Sequence, residues 1–66
     1  MSTPFIRLYK KLTGTPIFLN INSIEQFYDV MVEGKFSYSV IVTKEFEQEY
    51  VTDTSEAIHI MIRNRA

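Results

Sequence analysis

Hydrophobic and polar positions alternate along Phe5-Ile6-Arg7-Leu8-Tyr9-Lys10-Lys11-Leu12, with Ile6, Leu8 and Leu12 on one side and Phe5, Arg7, Tyr9 and Lys11 on the other. A period of two belongs to a strand with one buried face, so the pattern predicts a strand over about 5–12. Thr13-Gly14-Thr15-Pro16 reads as a turn, because Gly14 takes positive φ without strain and Pro16, which has no N–H, begins a strand more readily than it sits inside one. Ile17-Phe18-Leu19-Asn20-Ile21 supplies the return strand, about 17–21, and completes a hairpin. Asn20, Asn22 and Ser23 then predict a tight loop, since their side chains bond nearby backbone.

The β-branched and aromatic residues Phe27, Tyr28, Val30 and Val32 favour a strand over about 24–32. Glu33-Gly34-Lys35 is a turn into a further strand, about 36–43, which makes a second hairpin. That strand alternates in its first half, with Ser37 and Ser39 as ordinary polar-face residues. It becomes continuously apolar at Val40-Ile41-Val42, the composition of a central strand. A short last strand is expected over about 47–52. Glu45, Glu47 and Glu49 fall on one face of it and read as charges that discourage edge-to-edge pairing, or as an acidic surface that imitates nucleic acid.

Only the end of the chain has helical periodicity, over about 54–64. Asp53 followed by Glu56 has the spacing of a capping box. Ala57, Ile58, Ile60, Met61 and Ile62 sweep an apolar arc of about 200°, against roughly 100° for an ordinary one-sided helix. The expectation is that Ile58 and Ile62 pack on the protein's own sheet while Ala57, Ile60 and Met61 meet a partner, either a second copy of the chain or a host protein. A flexible methionine beside aliphatic residues suits an adaptable contact. The predicted fold is α+β: a single domain with a small curved antiparallel sheet or partly open barrel of about five strands and one C-terminal helix.

Size sharpens the case for a partner. A chain of 66 residues buries only about 60% of the surface it exposes when unfolded. There is no cysteine, so neither a disulfide nor a thiolate metal site adds stability, and homo-oligomerisation is the common remaining remedy. No apolar run exceeds three residues, which predicts neither a membrane span nor a signal peptide and suggests a cytoplasmic protein.

The net charge of −1 is unevenly spread. Residues 1–24 hold Arg7, Lys10 and Lys11 and no acid, whereas all eight acids lie in residues 25–56. Attraction of the first strand to a late acidic strand, within one chain or across two, and mere solvation of both faces are open readings. A second functional reading comes from the first strand itself. Phe5, Arg7, Tyr9 and Lys11 interleave cations with aromatic rings on one sheet face, the pattern by which small β-domains hold single-stranded nucleic acid.

No catalytic constellation is evident. His59, the sole histidine, falls on the polar side of the predicted helix without an orienting partner. The glycines are isolated and form no phosphate loop. Neither a metal, a cofactor nor a small-molecule substrate is expected, and the reading is of a non-enzymatic protein.

Ile6-Arg7-Leu8 before a turn, Gly14, Leu19-Asn20 followed by Ile24 and Phe27, and Val51-Thr52-Asp53-Thr54-Ser55-Glu56-Ala57-Ile58 at the helix entry together resemble the short FlbD family of flagellar-operon proteins and their phage and mobile-element relatives. The match spans most of the chain and consists mainly of hydrophobic, turn and cap positions. It implies a small β-domain with a helix and brings no catalytic residue with it. Ala57, Ile60 and Met61 stand where that family tends to be charged.

Overall fold

The computed structural model describes residues 4–65; residues 1–4 read from the sequence as a short leader before the first strand, and the first three of them lie outside the described residues. The described chain forms strands β1 (Phe5–Tyr9), β2 (Pro16–Asn20), β3 (Ile24–Val32), β4 (Lys35–Thr43) and β5 (Gln48–Val51), with a short 3-10 turn at Ile21–Ser23 and a C-terminal helix, α1 (Ser55–Arg65). All pairings are antiparallel: β1 with β2 in one sheet, β3-β4-β5 in the other. The two sheets meet where Lys10 bridges Val51. Lys11 N–H donates to the Tyr50 carbonyl at 2.9 Å and Thr52 N–H to the Tyr9 carbonyl at 3.0 Å. The end of the first strand therefore lies against the last, and the sheets do not close into a barrel.

The turns follow from their residues. Val32 pairs with Lys35, leaving Glu33 and Gly34 as a two-residue loop with φ of 52° and 78°. Positive φ at both positions matches the right-handed twist of the flanking strands. Asn20 Oδ1 accepts from Asn22 N–H at 2.8 Å, the Asx turn expected at that bend. The β1–β2 connection departs from expectation. Gly14 N–H reaches back to the Lys10 carbonyl at 2.9 Å, so the strand predicted to run to residue 12 stops at Tyr9. Leu12, assigned by alternation to the buried side, stands at the loop tip and is 86% exposed.

The core forms between α1 and one face of the sheets. Ile6 and Leu8 of β1, Ile41 of β4, Val51 of β5 and Ile58 of α1 are buried, with Ile17, Leu19, Ile21, Ile24, Phe27, Met61 and Ile62 packed around them. Each fully buried aliphatic side chain contributes about 1.5–3 kcal/mol. The central position of β4 agrees with its apolar second half. Ser39, expected as an ordinary polar-face residue, is fully buried and donates to Asp29 at 3.0 Å. Buried Thr43 accepts from Glu47 N–H at 3.1 Å, so neither hydroxyl is left unsatisfied.

Two further expectations are corrected. The helix is not capped by Asp53 and Glu56. Thr54 holds the cap position, its hydroxyl accepting from Ala57 N–H at 3.1 Å, while Asp53 is drawn to Tyr9 N–H at 3.3 Å. Nor do Glu45, Glu47 and Glu49 share a strand face. The β4–β5 connection is a loop closed by Phe46 N–H on the Thr43 carbonyl at 2.9 Å, and only Glu49 falls within a strand.

Candidate functional site

Direct cross-strand partners point to the same side of a sheet, so the register sorts the side chains into two faces. Tyr28 pairs with Val40 and Val30 with Tyr38, and Val40 pairs with Tyr50. Lys11 lies opposite Tyr50 through its backbone bond, and Tyr9 lies two residues back along β1. All four tyrosines of the chain thus share the face turned away from α1. Arg7, paired with Phe18, and Phe5, paired with Asn20, extend it across the first hairpin. The helix-side face receives Ile6, Leu8, Ile41 and Val51, and also the two register-paired carboxylates, Asp29 opposite Ser39 and Glu49 opposite Ile41.

On the outer face, cations stand over rings. The Arg7 guanidinium lies 5.8 Å from the Tyr9 ring centroid and the Lys11 ammonium 5.1 Å from that of Tyr38, both within the range of cation–π attraction. The Tyr38 and Tyr50 rings are 5.4 Å apart and tilted at 55°, an arrangement favoured by their quadrupoles. Val40 belongs to this face yet is only 4% exposed, enclosed between its neighbours Tyr28 and Tyr50. The rings themselves remain open to solvent: Tyr9, Tyr28, Tyr50, Phe5 and Phe18 are all exposed.

The structure thus keeps together the four first-strand residues singled out from the sequence, Phe5, Arg7, Tyr9 and Lys11, all exposed. It adds Phe18, Tyr28, Tyr38 and Tyr50, which sequence reasoning missed. Alternation within each strand marks their outward parity, but no local signal tells that the end of β1 lies beside β5. The helix residues are distributed differently. Met61 packs against the core beside Ile62, Ala57 is half-buried, and Ile60 is 39% exposed. His59 is exposed, as its helix position predicts.

Opposite the tyrosine face, the Asp29 carboxylate accepts from Ser55 N–H at 2.7 Å, the Ser55 hydroxyl at 2.9 Å and the Ser39 hydroxyl. These bonds, foremost that from the Ser55 backbone, hold its pKa below the ordinary aspartate value. Among the described residues no group of His, Asp and Glu is arranged to hold a metal ion, and no helix is long and apolar enough to cross a membrane. Comparison with family models, curated proteins and solved structures finds no match for this chain.

Proposed function

We propose that this protein is a non-enzymatic binding module that holds single-stranded nucleic acid on the outer face of its sheets. The observation that carries this reading is the linked set of rings and cations, Arg7 with Tyr9 and Lys11 with Tyr38 and Tyr50, on a face without a register-paired carboxylate. Exposed rings stack on bases of any sequence, and adjacent cations contact the phosphates between them. The negative net charge does not oppose this, because charge acts locally within about a Debye length, ~8 Å at physiological salt. Glu33, Glu45 and Glu47 lie in the hairpin loops, Asp29 and Glu49 on the other face, Glu25 at the register shift of β3 and Glu56 in the first turn of α1. Asp53 stands beside the first strand with its carboxylate on the Tyr9 N–H at 3.3 Å. A cytoplasmic setting suits such a ligand and a chain without cysteine.

The test is fluorescence anisotropy of labelled oligothymidine titrated with the full chain at increasing salt. Binding that weakens with salt, with a slope of about −0.7 per phosphate contacted, supports the reading. A folded protein that leaves the oligonucleotide free at low salt overturns it.

A second reading, an adaptor, regulator or inhibitor that meets its own copy or a host protein through α1, retains one supporting observation: Ile60 is 39% exposed on a helix whose other aliphatic residues are buried or half-buried. The resemblance to the FlbD family is neutral between the two, since it carries no ligand with it.

A further inference from the structure

An open cleft of about 650 Å³ lies between the first hairpin and the last turn of α1, lined by Ile6, Arg7, Phe18, Met61, Asn64 and Arg65. Its volume falls within the roughly 300–1,000 Å³ typical of small-molecule sites. Its chemistry is one-signed. The lining holds two guanidinium groups and no carboxylate, and residues 1–24, which supply the hairpin wall, contain no acid. The helix C-terminus contributes a partial negative charge of about one half, less than the two full charges of Arg7 and Arg65. Guanidinium groups present planar donor forks that match phosphate oxygens.

The remaining lining residues suit the rest of a nucleotide. Phe18 is 65% exposed and offers a ring face for a base, Asn64 carries both a donor and an acceptor for a base edge, and half-buried Met61 adds apolar lining. Arg7 belongs to two surfaces at once. It lines the cleft and stands over Tyr9 on the outer face, and its cross-strand partner is Phe18. The cleft is therefore continuous with the face proposed to bind nucleic acid.

We propose that this cleft is a nucleotide subsite, in which a phosphate sits between Arg7 and Arg65 and the attached base stacks on Phe18, so that a strand crossing the tyrosine face enters the cleft with one of its nucleotides. The proposal rests on the nucleic-acid reading and extends it to residues of the helix end.

The decisive experiment is nuclear magnetic resonance of the isotope-labelled full chain, titrated separately with thymidine monophosphate, thymidine, hexaglutamate and oligothymidine. Thymidine monophosphate is expected to shift the backbone amides of Phe18, Asn64 and Arg65 saturably, and thymidine and hexaglutamate to leave them in place. Arg65, exposed in the last helical turn, is replaced without disturbing the core. Arg65→Ala is expected to abolish the monophosphate shifts and to weaken oligothymidine binding roughly tenfold to a hundredfold, as for loss of one charged hydrogen-bonding group, while the Tyr38 and Tyr50 shifts persist. The subsite is overturned if the monophosphate leaves the cleft amides unmoved, if hexaglutamate shifts them equally, or if Arg65→Ala binds oligothymidine as tightly as the wild type. Failure of the parent reading looks different: oligothymidine then moves neither Tyr38 nor Tyr50.

Discussion

The carboxylate of Asp29, in the middle of β3, accepts both the backbone N–H and the hydroxyl of Ser55 at 2.7 and 2.9 Å, joining positions 26 residues apart. Ser55 is the first residue of α1, where backbone donors lack intrahelical partners and the helix dipole favours negative charge. One strand residue thereby anchors the helix to the sheet and sets where it begins. Asp29→Ala is expected to lower the melting temperature clearly and Asp29→Asn by less, because the amide oxygen retains an acceptor but not the charge. The pH dependence has a definite sign. A carboxylate whose folded pKa is depressed adds stability that is complete above its unfolded pKa and lost as pH falls through the folded value. The difference between wild type and Asp29→Asn should therefore be constant near neutrality and shrink below about pH 4. Thermal melts across that range check it, and a difference that grows in acid refutes the assignment.

The cap itself belongs to Thr54. Thr54→Ala should destabilise the protein by about 1 kcal/mol, the usual cost of losing a hydroxyl cap, whereas Glu56→Ala should stay within about 0.5 kcal/mol, as for an unengaged surface residue. Urea titration separates the two, and a larger loss for Glu56→Ala would restore the capping box.

Burial sorts the helix residues. Ile58 is fully buried, and Ile58→Ala should cost about 2–5 kcal/mol, enough to unfold much of a domain this small. Met61→Glu places a charge against the core and should also destabilise. Ile60→Glu should change stability by less than about 0.5 kcal/mol. Light scattering then bears on the self-association part of the second functional reading: if α1 mediates it, Ile60→Glu lowers the molar mass, and an unchanged mass removes self-association through Ile60.

Glu33 adopts a positive φ of 52°, strained for a residue with a long side chain, at a cost on the order of 1 kcal/mol. Glu33→Asn creates the Asn-Gly pair preferred in such loops and should recover part of that cost as a higher urea midpoint. Gly34→Ala, at a φ of 78°, should move it the other way although open space surrounds the new methyl.

On the tyrosine face, Tyr50→Ala should weaken oligothymidine binding by about 1–3 kcal/mol if its ring stacks on a base. Lys11→Ala should reduce the salt slope by about 0.7, one phosphate contact. Anisotropy titrations of both variants, with circular dichroism to verify folding, separate stacking from charge.

The element order was readable in the chain because its signals are local. Period-two alternation marks strands, Gly14, Pro16 and Gly34 punctuate them, and the spacing from Ala57 to Ile62 marks the helix; residues 24–32 form a strand over the predicted range. The outward parity of Phe5, Arg7, Tyr9 and Lys11 was likewise local. Tertiary structure alone decided what these elements meet. Gly14 bonding back to Lys10 ended β1 early and turned Leu12 out to solvent. The pairing of the end of β1 with β5 brought Lys11 to Tyr38 and Tyr50 and gathered four tyrosines from four strands onto one face. Asp29, which reads in sequence as one more strand-surface acid, became the anchor of a helix 26 residues away. Alternation specifies which side of its own strand a residue occupies, but strand neighbours and remote hydrogen-bond partners depend on how separately specified surfaces pack, and that information is held by no single window of the chain.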